Sequence, residues 1–172
     1  MRHSTALPVA WITLRILVVL NWIYGAIVLA ILIGMLTAEQ WTLTALGFSP
    51  AADARPLIMG MRAIAALGLV SVPINLAVLK RLLAMVETVR AGDPFVASNA
   101  YRLQAIAWFL LGQQLLSVAI GLIGKAVSTP AHPLHLDAGF SPGGWLAIFL
   151  TFVLARVFAE GTLMREDLDG TV

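Results

Sequence analysis

The chain contains no cysteine. That absence excludes thiol nucleophiles, disulfides and cysteine-ligated metals, and it leaves the redox compartment open. Charge is scarce too. Charged residues make up 12% of the 172 positions, against about 25% in soluble domains. No histidine falls inside a long apolar run, which argues against a bis-histidine haem held within the membrane. Lys125 sits at the end of such a run, which argues against a buried retinal Schiff base. There is no glycine-rich phosphate loop and no nucleophile elbow. Neither catalysis nor a cofactor is expected. Net charge is only +2, so no basic footprint for direct nucleic-acid binding exists.

What fills the chain is apolar. Ile16–Leu36, Leu57–Leu79, Leu103–Gly124 and Gly143–Thr162 are four long hydrophobic stretches. Each has the roughly 20 residues a helix needs to cross a bilayer core. Hydrophobic residues are 60% of the total, more than so small a soluble core can hide. The expectation is an all-α integral membrane four-helix bundle. It forms a single domain over 1–172, with spans at about 11–36, 57–80, 103–125 and 143–162. The first stretch is expected to be retained. It is too long for a signal-peptide core, and no clear small-x-small cleavage site follows Leu36.

Basic residues set the orientation. Lys80, Arg81, Arg90 and Arg102 fall between the second and third stretches. Arg2 and Arg15 lie near the N-terminus, and Arg156 and Arg165 near the C-terminus. The other two connections hold only Arg55, with Arg62 just inside the next helix, and Lys125. An even number of spans puts both termini on one side. The termini and the middle loop are therefore expected in the cytoplasm, with the chain crossing the membrane four times.

Local signals refine this picture. Ala26, Ala30 and Gly34 make a small-residue stripe that suits close helix approach. Pro73 interrupts the second span, where Ser71 and Asn75 are placed to satisfy freed backbone groups. Beyond that span, Leu82, Leu83, Val86 and Val89 continue one apolar face, with Glu87 and Arg90 as an i,i+3 pair. Gly92 is the expected C′ residue and Asp93-Pro94 the stop. Phe95 and Val96 then dock on the bundle, and Ser98 or Asn99 caps the third helix. Gln113, Ser117 and Gly121 form a polar and small stripe toward Lys125.

Polar residues within the spans are Arg15, Asn21, Arg62, Asn75, Gln113, Gln114, Arg156 and Glu160. Each is costly in lipid unless it snorkels or finds a partner. Arg15 and Arg156 lie where they can snorkel. Arg62 calls for Glu39, Asp53 or Asp137, and Glu160 for Arg156, Arg15 or Arg102. Two readings stand: fixed helix register, or a ligand cavity or proton path. His132, His135 and Asp137 form a weak metal-ligand set, read equally as solvated loop residues. The basic segment after the second span either lies on anionic headgroups or docks a cytosolic helix.

Two segments are distinctive together. One runs Val89-Arg-Ala-Gly-Asp-Pro-Phe-Val-Ala-Ser-Asn-Ala-Tyr-Arg-Leu103, of the form V-x-x-G-x-P-F-x-x-x-N-x-x-R-L. The other is the end, Phe158-Ala-Glu-Gly-Thr-Leu-Met-Arg-Glu-Asp-Leu-Asp-Gly-Thr-Val172. With four spans around them, they resemble a bacterial membrane family known as domain of unknown function twenty-nine seventy-five. Glu166, Leu168, Thr171 and Val172 match its tail, while Gly170 departs slightly. The resemblance covers most of the chain. It implies a four-helix membrane protein without an assigned activity, commonly encoded beside a Cro/C1-type helix-turn-helix regulator. Lys80, Arg81, Arg90, Asp93, Pro94, Phe95, Asn99, Arg102, Glu160, Glu166 and Leu168 are the candidate partner-binding residues, with Arg102 reaching for phosphate or Glu160.

The leading expectation is a regulatory or sensory membrane protein that holds such a regulator. A small-molecule or ion carrier using Arg62, Gln113 and Glu160 is the second reading. A metal- or haem-dependent redox subunit using His132 and His135 is the third. The bilayer is the first partner, and a second copy of the chain remains open.

Overall fold

The computed structural model describes residues 6–45, 47, 55–128 and 139–169. Every regular element among them is helical: α1 Ala6–Thr37, α2 Glu39–Ala45, α3 Arg55–Arg90, α4 Ala97–Val127 and α5 Pro142–Asp169. All but α2 are long and apolar enough to cross a membrane. At 1.5 Å per residue the 36-residue α3 is about 54 Å long, well beyond a hydrocarbon core of about 30 Å. Its excess is the basic, amphipathic end from Lys80 to Arg90.

Helix α1 shows why water is the wrong solvent. Only 11% of its most apolar window is buried, and Ile16, Val19, Trp22, Ile23 and Ile27 are all exposed. Contiguous apolar surface on this scale is not tolerated on a soluble monomer, whereas lipid satisfies it without cost. The apolar side chains outside the packed seams are thus compatible with bilayer contact.

The described residues pack as two units. One contains Asn21–Pro73 and Gln113–Ser141. Its core is Met35, Leu43 and Ile58, with Ile31 and Met61 against them. Here α1 and α3 come close through glycine. A Cβ on Gly25 would stand 3.1 Å from Val72, and one on Gly68 would stand 3.2 Å from the Tyr24 hydroxyl. The expected stripe is therefore displaced. Ala26 and Ala30 are exposed, and the packing face runs instead through Asn21, Gly25 and Met35. Of the expected three, Gly34 lies against the side chain of Thr42 in α2. Pro73 lies inside a continuous α3. Ser71 Oγ donates to the Gly68 carbonyl at 2.6 Å, and Asn21 Nδ2 donates to the Val72 carbonyl at 3.1 Å. The proline site is thus where α1 anchors to α3.

The other unit contains Met1–Leu20, Ile74–Gly112 and Pro142–Val172. Ala100, Leu103, Ile106, Ala107, Ile148 and Ala155 are its buried apolar residues. Trp108 and Phe152 meet edge to face with centroids 5.3 Å apart. Helix α3 ends as the glycine signal indicates. Gly92 has φ of +89°, Gly92 N–H donates to the Val89 carbonyl, and Asp93 N–H donates to the Thr88 carbonyl. That pair of bonds is a Schellman motif with Gly92 at C′.

Candidate functional site

The connection from Gly92 to Val96 is clasped onto the neighbouring helices. Asp93 accepts a hydrogen bond from the Arg165 guanidinium of α5, forming an ion pair. The Phe95 ring stacks on Phe158 with centroids 5.3 Å apart and planes tilted by 33°. Gly161 lies beneath the same ring: an added Cβ there would sit 3.3 Å from it. Residues 93–95 therefore grip one face of α5 at positions 158, 161 and 165. These positions recur at helical spacing.

Asn99 secures the connection from the other side. It is fully buried. Its Nδ2 donates to Thr88 Oγ1 at 2.7 Å and to the Pro94 carbonyl at 2.9 Å. Its Oδ1 accepts from Arg102 Nη1 at 2.7 Å. The expected cap role is corrected by this geometry. Helix α4 begins at Ala97, and the Asn99 backbone N–H already bonds the Val96 carbonyl. Asn99 thus lies within the first turn, and its side chain serves the connection. Arg102 is held by Asn99 and is not brought to Glu160, whose partner is Arg156 Nε at 2.8 Å.

Magnitudes rank these contacts. The Asp93–Arg165 side chains are 42% and 48% exposed, so their pairing contributes about 0–1 kcal/mol. The aromatic pair adds about 0.5–1.5 kcal/mol beyond area burial. Losing the Asn99 network leaves buried polar groups unsatisfied, at about 1–3 kcal/mol each. Asn99 and Phe95 therefore contribute more to holding the clasp than the ion pair does.

Basic residues surround this region. Lys80 is exposed. Arg81 lies over the Phe109 ring at 4.6 Å and donates to the Ala77 carbonyl. Arg15 and Arg90 both lie over Trp11, at 4.9 and 6.0 Å from its ring centre. Arg90 is thus turned toward the indole, and no ion pair with Glu87 forms among the described residues. The backbone of Glu166 and Leu168 belongs to α5; their side chains lie outside the described set.

The unit of Asn21–Pro73 and Gln113–Ser141 has its own polar fixture. Arg62 Nη2 donates to Glu39 at 2.6 Å and to the Met35 carbonyl at 2.5 Å. Glu39 is thus the partner found for Arg62, supplied by a helix the sequence did not announce. Gln114 Nε2 donates to the Gly139 carbonyl, and Ser117 Oγ accepts from the Gly139 N–H, both at 3.2 Å. Gln113 Oε1 is buried without a hydrogen-bond partner among the described residues. Asn75 is half-buried. Asp53, His132, His135 and Asp137 lie outside the described residues, and no group of metal-ligating side chains forms among the rest.

One feature of the clasp unit escaped sequence reading. A cavity of about 550 Å³ opens between α4 and α5, with Ala100, Tyr101, Gln104, Ala155, Arg156 and Ala159 among its walls. Its only signal is small or polar residues four apart on two helices, Ala100 and Gln104, Ala155 and Ala159. Without knowing which helices meet, that pattern carries no weight.

A family model described as "Protein of unknown function (DUF2975)" matches residues 54–172. No curated protein and no solved structure matches the chain.

Proposed function

The chain belongs to the DUF2975 family, and from that premise we propose that it is a regulatory protein of a bacterial inner membrane. Its clasp would dock a cytosolic helix-turn-helix regulator, and both termini would lie in the cytoplasm. The observation that carries this reading is the meeting of the two distinctive segments. Asp93 and Phe95 belong to one, Phe158, Gly161 and Arg165 to the other, and they are joined in one clasp. The segments share a surface, although 54 residues separate Leu103 from Phe158. The basic end of α3 and the α5 residues Arg156 and Arg165 give this region the charge expected of a cytoplasmic face.

Affinity capture from native membranes in mild detergent, with mass spectrometry of what accompanies the chain, tests the proposal. Recovery of a small DNA-binding protein is expected from the wild type. Asp93→Arg should lose it, and the swap Asp93→Arg with Arg165→Asp should restore it. Equal recovery from the wild type and both variants, or from none of the three, would contradict docking at the clasp. Gln113 Oε1, buried without a hydrogen-bond partner among the described residues, favours a second reading, a small-molecule or ion carrier. Substrate flux in proteoliposomes, which a tether lacks, distinguishes the two.

A further inference from the structure

The cavity between α4 and α5 shares its helical turns with the clasp. On α4, Ala100, Tyr101 and Gln104 face the cavity, while Asn99 and Arg102 hold the connection. On α5, Ala155, Arg156 and Ala159 face the cavity, while Phe158, Gly161 and Arg165 hold Asp93 and Phe95. An occupant would thus press on one side of the turns whose other side forms the clasp.

The walls say what the occupant is. Alanines and Phe152 make most of the lining apolar, and the helices themselves are of membrane-spanning character. The volume of about 550 Å³ lies within the roughly 300–1,000 Å³ of small-ligand sites. It suits one chain of a lipid, not a whole diacyl molecule. The polar residues are Tyr101, Gln104, Arg156 and Thr162, and the Thr162 hydroxyl already donates to the Phe158 carbonyl. Arg156 uses its Nε on Glu160, which leaves the other guanidinium N–H groups as donors. Glu160 is about half exposed beside it. A cation and an anion side by side, both accessible, match a head that carries both signs. Phosphate oxygens of such a head would accept from Arg156, Gln104 and Tyr101, and its ammonium would donate to Glu160. A purely anionic head would meet Glu160 with like charge.

We propose that this cavity is a binding site for a zwitterionic phospholipid with a primary ammonium. One acyl chain lies between α4 and α5, and the head rests on the Arg156–Glu160 pair. The site stands whether or not a regulator docks on the clasp.

The full chain in nanodiscs, doped with phosphatidylethanolamine carrying a diazirine in one acyl chain, provides the test. After illumination, adducts are mapped by mass spectrometry. Adducts should concentrate on the cavity turns of α4 and α5 and fall severalfold in Ala155→Trp, which fills the space. Leu154→Trp, on the exposed side of α5, should leave them unchanged. Ala159→Leu fills less and serves if the tryptophan variant does not fold. The phosphatidylglycerol analogue should label the same turns more weakly, and Glu160→Gln should erase that difference. Adducts spread evenly over the exposed faces of all four long helices would overturn the site. Equal labelling by the two lipids would overturn the assignment of the head.

Discussion

Asn99 concentrates the argument at the scale of one residue. It is fully buried and uses both ends of its amide, as donor to Thr88 and Pro94 and as acceptor from Arg102. Asn99→Asp keeps the shape but turns the donor into an acceptor facing the Pro94 carbonyl. We expect a loss of about 1–3 kcal/mol and faster hydrogen exchange from Gly92 to Val96. An exchange profile like the wild type's would show that the amide is dispensable. Gly60 is the parallel case in the other unit. A Cβ there would stand 2.6 Å from Val127, so Gly60→Ala should destabilise by about 1–3 kcal/mol through overpacking. Adding Val127→Ala should recover much of that in thermal unfolding in detergent. The sequence marked Asn99 and Gly92 alike, yet only the glycine's role was legible. A C′ glycine declares itself through its neighbours Asp93 and Pro94, whereas an asparagine near a helix start suits a cap or a buried anchor equally. Its deciding partner, Thr88, sits across the turn on another helix.

The four long helices were legible because spanning length and apolar composition leave few alternatives. The extension of α3 to Arg90 was legible because its apolar face continues past Lys80. Their starts were less so: α1 and α4 begin five and six residues before the expected spans, at Ala6 and Ala97, where hydropathy falls but helical hydrogen bonding continues. The seven-residue α2 was not legible at all. Seven residues show no clear period, and what holds this helix is tertiary: Leu43 beside Met35 and Ile58, and Glu39 on Arg62. Glu39→Ala should therefore loosen α2 by about 1 kcal/mol, seen as faster exchange at Glu39–Ala45 with α1 unaffected. Unchanged exchange there would mean that Leu43 alone retains the helix. The displaced stripe on α1 has the same cause. The small residues at four-residue spacing lie on one face of this helix and the single Gly25 on the next, and only the position of α3 shows that Gly25, not Ala26, meets it.

Across the whole molecule, apolar helix faces compatible with bilayer contact accompany a clasp built from two distant segments. The proposed docking of a regulator requires that clasp to face the cytosol. The absence of cysteine makes this directly measurable, because one introduced thiol is the only thiol. Ser98 beside the clasp and Phe140 before α5 are both exposed, and each becomes a single reporter as Ser98→Cys or Phe140→Cys. Spheroplasts are treated with a membrane-impermeant maleimide, before and after permeabilisation. The account predicts that the thiol at position 140 is labelled at once and that at position 98 only after permeabilisation. Immediate labelling at position 98, with protection at 140, would place the clasp outside the cell and contradict the docking of a cytosolic regulator.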